Sequence, residues 1–271
     1  MMTAKLQSML DGPVSPAQRV RDTLPPEVRE TVHRASELIR MRQLRLREAP
    51  LSTSVSGIDR MLGGGLPRGT LVELVGRGSC GRFASLLAAL KMVTDTGEVA
   101  ALVDQGDQLD PQLAATVGID LDRLLWLRPR VLPDALAAAE MLVHTGFPLV
   151  ALDLGLPPVR GRTPLAAWLR LARTAATHRA VVLVGSPYRL SGCAATVVAT
   201  AHRGRGTWSG TAGATRLLHG LEARLELARS RGQQPDENAR VAFTLPEAAF
   251  EPVVTADPDS ETEELSHVQA Q

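Results

Sequence analysis

Val72–Phe83 reads VELVGRGSCGRF, and the fold turns on how this stretch is read. An apolar run, Thr70–Val75, leads into Gly76-Arg77-Gly78-Ser79-Cys80-Gly81 and then into an apolar helical stretch, Phe83–Thr94. Strand, glycine loop and helix in that order form the layout of a phosphate-binding loop, whose backbone N–H groups and helix N-terminus cradle an anion. A working nucleotide loop carries lysine at its seventh position to reach the β- and γ-phosphates. Its eighth position is Ser or Thr, which holds Mg²⁺. Arg82 and Phe83 stand there instead. Arginine keeps the charge in a bulkier, planar form, and phenylalanine has no oxygen to offer a metal. Gly76, Gly78, Ser79, Gly81 and Arg82 are candidates for a degenerate nucleotide loop. Taken alone, the same residues also suit a plain strand-to-helix turn.

Outward from the loop, short apolar runs alternate with helical stretches. Glu98–Val103, Leu149–Asp153 and Ala180–Gly185 read as strands buried on both faces. Pro111–Val117, Pro133–Thr145 and Pro164–Thr177 read as helices between them. This alternation predicts an α/β fold with a mostly parallel central sheet flanked by helices. After Ala194, strand-like segments at Thr196–Ala201, Glu222–Arg229 and Ala239–Leu245 are expected to extend the sheet. Residues 1–24 read as a loose leader and residues 25–50 as a segment holding a helix over Glu27–Arg47. Residues 51–252 read as the core domain and residues 253–271 as a disordered acidic tail.

The chain has 271 residues, 44% of them apolar and 22% charged, with a formal net charge of +1. That composition suits a soluble domain with a sizeable core. No apolar run approaches the roughly 18 residues of a spanning helix, and Met1–Leu10 lacks a targeting pattern, so a cytoplasmic protein without membrane partners is expected. Cys80 and Cys193 are too few for a disulfide framework, and no His or Cys spacing suggests a metal site.

The surroundings of the loop resemble the bacterial recombinase RecA. The lead-in Ser52–Gly69, STSVSGIDRMLGGGLPRG, the element Asp104–Pro111 and the turn Val117–Asp120 follow one another in RecA order and spacing. The resemblance continues through Leu149–Asp153, Ala180–Gly185 and Arg224–Leu245, and so covers Leu51–Leu245. It implies a RecA-like P-loop core with an added N-terminal helix, and Asp153 as the acid that ends the Walker B strand. The departures fall on the catalytic positions. Gly106 stands where RecA has its catalytic glutamate, with Asp107 beside it as an imperfect substitute. Ser186-Pro187 replaces the γ-phosphate sensor, and Arg229 and Arg231 match a Lys-x-Lys pair that reaches across the RecA interface. Phosphoryl transfer needs all these parts in place together. The resemblance therefore predicts no catalytic residues, no useful ATPase activity and no firmly held cofactor, with weak ATP binding the most that Gly76–Arg82 and Asp153 would provide.

Among RecA relatives of this size the chain resembles the ImuA family, through the degenerate loop, the basic N-terminal helix and Leu217–Arg224, LLHGLEAR. That resemblance implies a non-catalytic adaptor in damage-induced, error-prone translesion DNA synthesis. Its implied partners are ImuB (an inactive Y-family polymerase homologue), a DnaE-type polymerase and RecA itself; single-stranded DNA is a candidate partner through the arginines of the loops described below. Two other readings remain beside it: a divergent DNA-dependent ATPase using Arg82, Asp107 and Asp153, and a regulator of RecA filaments or of cell division.

Charge is unevenly spread. Leu154–Leu221 has no Asp or Glu but nine arginines. RecA binds DNA through the loops after the strands matching Leu149–Asp153 and Ala180–Gly185; here those loops carry Arg160, Arg162, Tyr188 and Arg189. Arg203 and Arg205, in a segment His202–Trp208 expected to be flexible, complete the DNA-binding candidates. Trp208 is expected to be buried, capping the sheet. Leu38, Arg42 and Arg45 of the N-terminal helix, with Arg229 and Arg231, are the candidates for binding a partner protein. An arginine-coated surface that only balances the acidic tail accounts for the same charges.

Overall fold

The computed structural model describes residues 49–161, 164–210, 216–230 and 238–244. The chain divides between Pro50 and Leu51, and the fold below is that of the second unit. The expected leader, N-terminal helix and acidic tail lie outside the described residues, as do Leu38, Arg42, Arg45, Arg162 and Arg231.

The apolar runs become strands: β1 (Thr70–Val75), β2 (Ala100–Asp104), β4 (Leu149–Asp153) and β5 (Val181–Ser186). Every residue of β2, β4 and β5 is buried, as parallel strands covered on both faces require. With β3 (Leu124–Leu127), β6 (Val197–Ser209), β7 (Leu217–Ser230) and β8 (Asn238–Thr244) they form one eight-stranded sheet in the order β3-β2-β4-β5-β1-β6-β7-β8. Pairing is parallel from β3 to β6 and antiparallel between β6, β7 and β8.

Helices cover the parallel part. On one face α1 (Ser56–Met61) and α2 (Arg82–Asp95) bury Ile58, Met61, Leu86 and Leu90 against Val72, Leu74 and Leu102, with α3 (Pro111–Thr116) at the margin. On the other, α4 (Leu132–His144) and α5 (Leu165–His178) bury Leu136, Leu142, Trp168 and Leu171 against Leu71, Leu152 and Val182. Each start has a local cause. Asp110 caps α3 by accepting from the N–H groups of Gln112 and Leu113, with Pro111 following it. Gly81 opens α2 in the left-handed region, φ 79°, where a Cβ would lie 2.7 Å from the Phe243 ring.

Three features depart from expectation. The short elements α1 and β3 have no counterpart among the expected segments. The hairpin β6–β7 is longer than expected, because cross-strand pairing continues from Val197 to Ser209 through three register shifts. His202–Trp208 is therefore strand rather than flexible loop, its backbone held by Leu218–Arg224. Trp208 is 51% exposed rather than buried. Its ring lies over Gly206 at the outer end of the hairpin, with the Arg216 guanidinium 5.8 Å from its centroid.

Candidate functional site

β1 delivers the glycine loop to the C-terminal edge of the sheet beside β5 and β6, and α2 rises from it. Arg77, Gly78 and Ser79 form an exposed apex, while Gly76, Cys80, Gly81 and Arg82 are buried. The Ser79 carbonyl accepts from the Gly204 N–H at 2.8 Å, tying the apex to β6.

Arg82 does not reach outward. Its Nη1 donates to the Gly76 carbonyl at 2.6 Å, and its Nη2 donates to the Gly155 carbonyl at 2.7 Å and to Asp153 Oδ1 at 3.3 Å. Its stem packs over Gly185, where a Cβ would sit 3.3 Å from it. One guanidinium thus joins the ends of β1 and β4 and lies across β5, with its Nε buried and without a partner. Asp153 accepts from the Gly155 N–H through its other oxygen. Burial pushes the Asp153 carboxyl up to about 6; the Arg82 charge opposes that shift and nearby Asp104 adds to it.

The position matching the catalytic glutamate is also filled in. A Cβ on Gly106 would run into Asp153 Oδ2 and would lie 2.6 Å from the Gly155 Cα. Asp107 sits in the left-handed region, φ 52°, and its carboxylate forms a bidentate pair with Arg128, both distances 2.7 Å. That bond holds the Asp107 carboxyl below the usual carboxylate range and raises the Arg128 guanidinium. Asp104 accepts from the N–H groups of Gln108 and Leu109 and from the Trp126 indole, so it fixes the turn after β2. As placed, these residues do not fit a Mg²⁺–nucleotide. The loop cation is consumed internally, no hydroxyl follows it, and the surviving acid is bonded to Arg82. Among the described residues no group of His, Cys, Asp or Glu is arranged to hold a metal ion, and no helix is long and apolar enough to cross a membrane.

Glu73 escaped sequence reasoning. It lies within the apolar run of β1, fully buried, and accepts from the Ser186 hydroxyl at 2.9 Å and the Leu190 N–H at 2.8 Å. It also accepts from the Ser191 hydroxyl. The signal was a lone carboxylate inside TLVELV: a charge at such a position is retained only when its neighbours satisfy it. Here it anchors the loop after β5.

The DNA-binding candidates fall in three places. Arg160, after β4, lines a polar cleft of about 730 Å³ with Arg128 and Arg130, at the C-terminal ends of β2 and β4. The buried Gln105 Oε1 has no partner there. Tyr188, 43% exposed, and Arg189 lie in the loop after β5, where Arg189 donates to the Gly192 carbonyl. Arg229 donates to the same carbonyl and is half-buried, so this partner-binding candidate serves to fasten β7 to that loop. Arg203 and Arg205 lie on β6, in a separate groove of about 420 Å³ with Arg224 and Arg240, two residues not foreseen from the sequence.

Comparison with known proteins follows the same lines. The RecA N-terminal domain family matches residues 35–154. RecA of Synechococcus elongatus is 40% identical over 101 residues, covering 37% of this chain and 28% of that protein. RecA of Corynebacterium aurimucosum is 40% identical over 97 residues, covering 35% and 26%. The chain thus matches under a third of the length of these relatives. The crystal structure of the RadB recombinase superposes with a TM-score of 0.50 at 20% identity, over 70% of this chain and 94% of that one.

Proposed function

We propose that this chain, RecA-like in fold and similar to RecA over residues 35–154, is a non-catalytic DNA-repair adaptor of the ImuA type. In this reading it serves error-prone translesion synthesis by bridging an ImuB-type polymerase homologue, a DnaE-type polymerase and RecA at damaged DNA. The observation that carries the non-catalytic part is Arg82, whose guanidinium is spent on Gly76, Asp153 and Gly155 within the fold. In a RecA-type ATPase that position stabilises charge on the phosphates, and an arginine held by three protein oxygens is not free to do so. Gly106, pressed against Gly155, removes the general base by the same logic. In the rival ATPase reading Asp107 would first have to leave its exposed bidentate pair with Arg128.

Two measurements test the two halves. ATP turnover with and without single-stranded DNA is expected to stay at background. Turnover at a RecA-like, DNA-stimulated rate overturns the non-catalytic part. Affinity capture from cells after DNA damage is expected to bring down the ImuB-type protein, and its absence from the captured material overturns the adaptor part.

A further inference from the structure

Beyond β1 the sheet continues as three antiparallel strands, and among the described residues α4 and α5 reach only the start of the first of them, β6. The cores on the two faces show this asymmetry. Ala223, Leu225, Ala239 and Val241 pack with α1 and α2, while the helices on the other face pack on residues no further along the sheet than Val198 of β6. Along β7 and β8 the alternation is strict over this stretch, with Ala223, Leu225, Ala239 and Val241 buried and Glu222, Arg224, Glu226, Arg240 and Ala242 exposed. Arg224 lies directly across from Arg240, and Arg205 across from Glu222. Among the described residues Arg203, Arg205 and Arg240 form no ion pair, and Arg224 bonds only the neutral Asn238 amide oxygen. Glu222 is the one acid among the described residues lining the groove.

We infer that this groove across β6, β7 and β8 binds the sugar–phosphate backbone of single-stranded DNA, with Arg203, Arg205, Arg224 and Arg240 holding its phosphates. Guanidinium forks suit phosphate oxygens, and like charges placed directly opposite one another across a sheet are unfavourable unless an anion comes between them. Three strands at about 4.8 Å spacing span about 10 Å, the width of a single strand rather than of a duplex. The lining offers alanines and one valine besides the charges. A protein partner would need a large apolar anchor there; a polyanion needs none. Among the described residues no aromatic side chain lines the groove, so none of them stacks bases or reads sequence there. This inference rests on the reading of the chain as a protein that acts at damaged DNA, and it moves DNA binding away from the loops after β4 and β5. Loss of strand binding would leave capture of the ImuB-type partner untouched, so the two fail separately.

The experiment is a fluorescence-anisotropy titration of the full chain with a labelled oligothymidylate over a range of salt. Arg203→Gln with Arg240→Gln is expected to weaken binding about tenfold. The slope of log K against log salt should shrink by about 1.4, or roughly 0.7 for each phosphate no longer neutralised. Arg160→Gln with Arg189→Gln removes the same charge from the two loops and is expected to change affinity less than about twofold. Arg240→Lys, which keeps the charge, is expected to keep the slope. An abasic strand of equal length should bind as tightly as the thymidylate. The inference is overturned if the loop pair, not the sheet pair, carries the loss. It is also overturned if the abasic strand binds far more weakly, or if polyglutamate displaces the strand as readily as unlabelled DNA does, which would make the groove a site for an acidic peptide. All four substituted side chains are exposed, and cooperative melting curves with midpoints no lower than the parent's verify that the variants fold.

Discussion

The C-terminal edge of the parallel strands and the open face of the antiparallel strands use the same side chain to opposite ends. At the edge, Arg82 is buried and gives Nη1 and Nη2 to Gly76, Gly155 and Asp153. On the open face, Arg203, Arg205 and Arg240 keep their guanidiniums exposed and without ion pairs among the described residues. A buried cation is held by the fold and holds it in turn; an exposed one is available to a ligand and contributes little to stability. Composition sets the number of arginines, and burial decides which become part of the scaffold.

The sharpest way to break this comparison is Arg82→Ala. It removes three hydrogen bonds and leaves the Asp153 carboxylate buried without its counter-charge, a loss expected to cost about 3–5 kcal/mol. Urea denaturation of the variant should show that drop. A change under about 1 kcal/mol would mean that Arg82 is not a structural member after all.

Asp153 gives a pH test of the same site. Its folded carboxyl titrates near 6, above the ordinary value of 3.8. The folded state therefore holds a proton more tightly than the unfolded chain between those values. The contribution of this group to stability is greatest below about pH 4, falls as pH rises through 6 and is flat above that. The span is on the order of 3 kcal/mol. Carboxyl carbon shifts followed by NMR should show a midpoint near 6, and in Arg82→Ala the midpoint should move higher, because the opposing charge is gone. A midpoint below 4 would remove the buried-carboxylate account.

Gly106→Glu restores the residue type expected of an ATPase at a position with no room for it. The new Cβ must displace Asp153 and Gly155, and the added charge faces a carboxylate. A loss of about 2 kcal/mol is expected, with no gain in ATP turnover. Turnover appearing in this variant would show that the edge can reopen.

The sequence foretold the parallel part of the fold and the glycine loop between β1 and α2, for a physical reason. Buried parallel strands are continuous apolar runs, and a glycine loop between strand and helix has few alternative conformations. It foretold less of the antiparallel part. Gly204 and Gly206 look like breakers, yet each leaves room for a neighbour, the side chains of Leu221 and Trp208. Arg224 and Arg240 are far apart in sequence and meet only through strand register. Whether Arg82 would point at a ligand or into the fold was not legible either, since that depends on the carbonyls of Gly76 and Gly155.

The smallest expected effect is the one most specific to the open face. Arg240 and Arg224 oppose each other across β8 and β7, and directly opposed like charges cost a few tenths of a kcal/mol. Arg240→Gln should therefore stabilise the protein slightly, by about 0.2–0.5 kcal/mol in low salt, and the gain should fade as salt screens the pair. The same substitution is expected to weaken the grip on single-stranded DNA. A residue whose removal improves folding and impairs binding is retained for binding, because its charge repels its neighbours until an anion arrives. If Arg240→Gln instead destabilises the protein, then Arg240 is a structural residue like Arg82, and the contrast between the two regions fails at that residue.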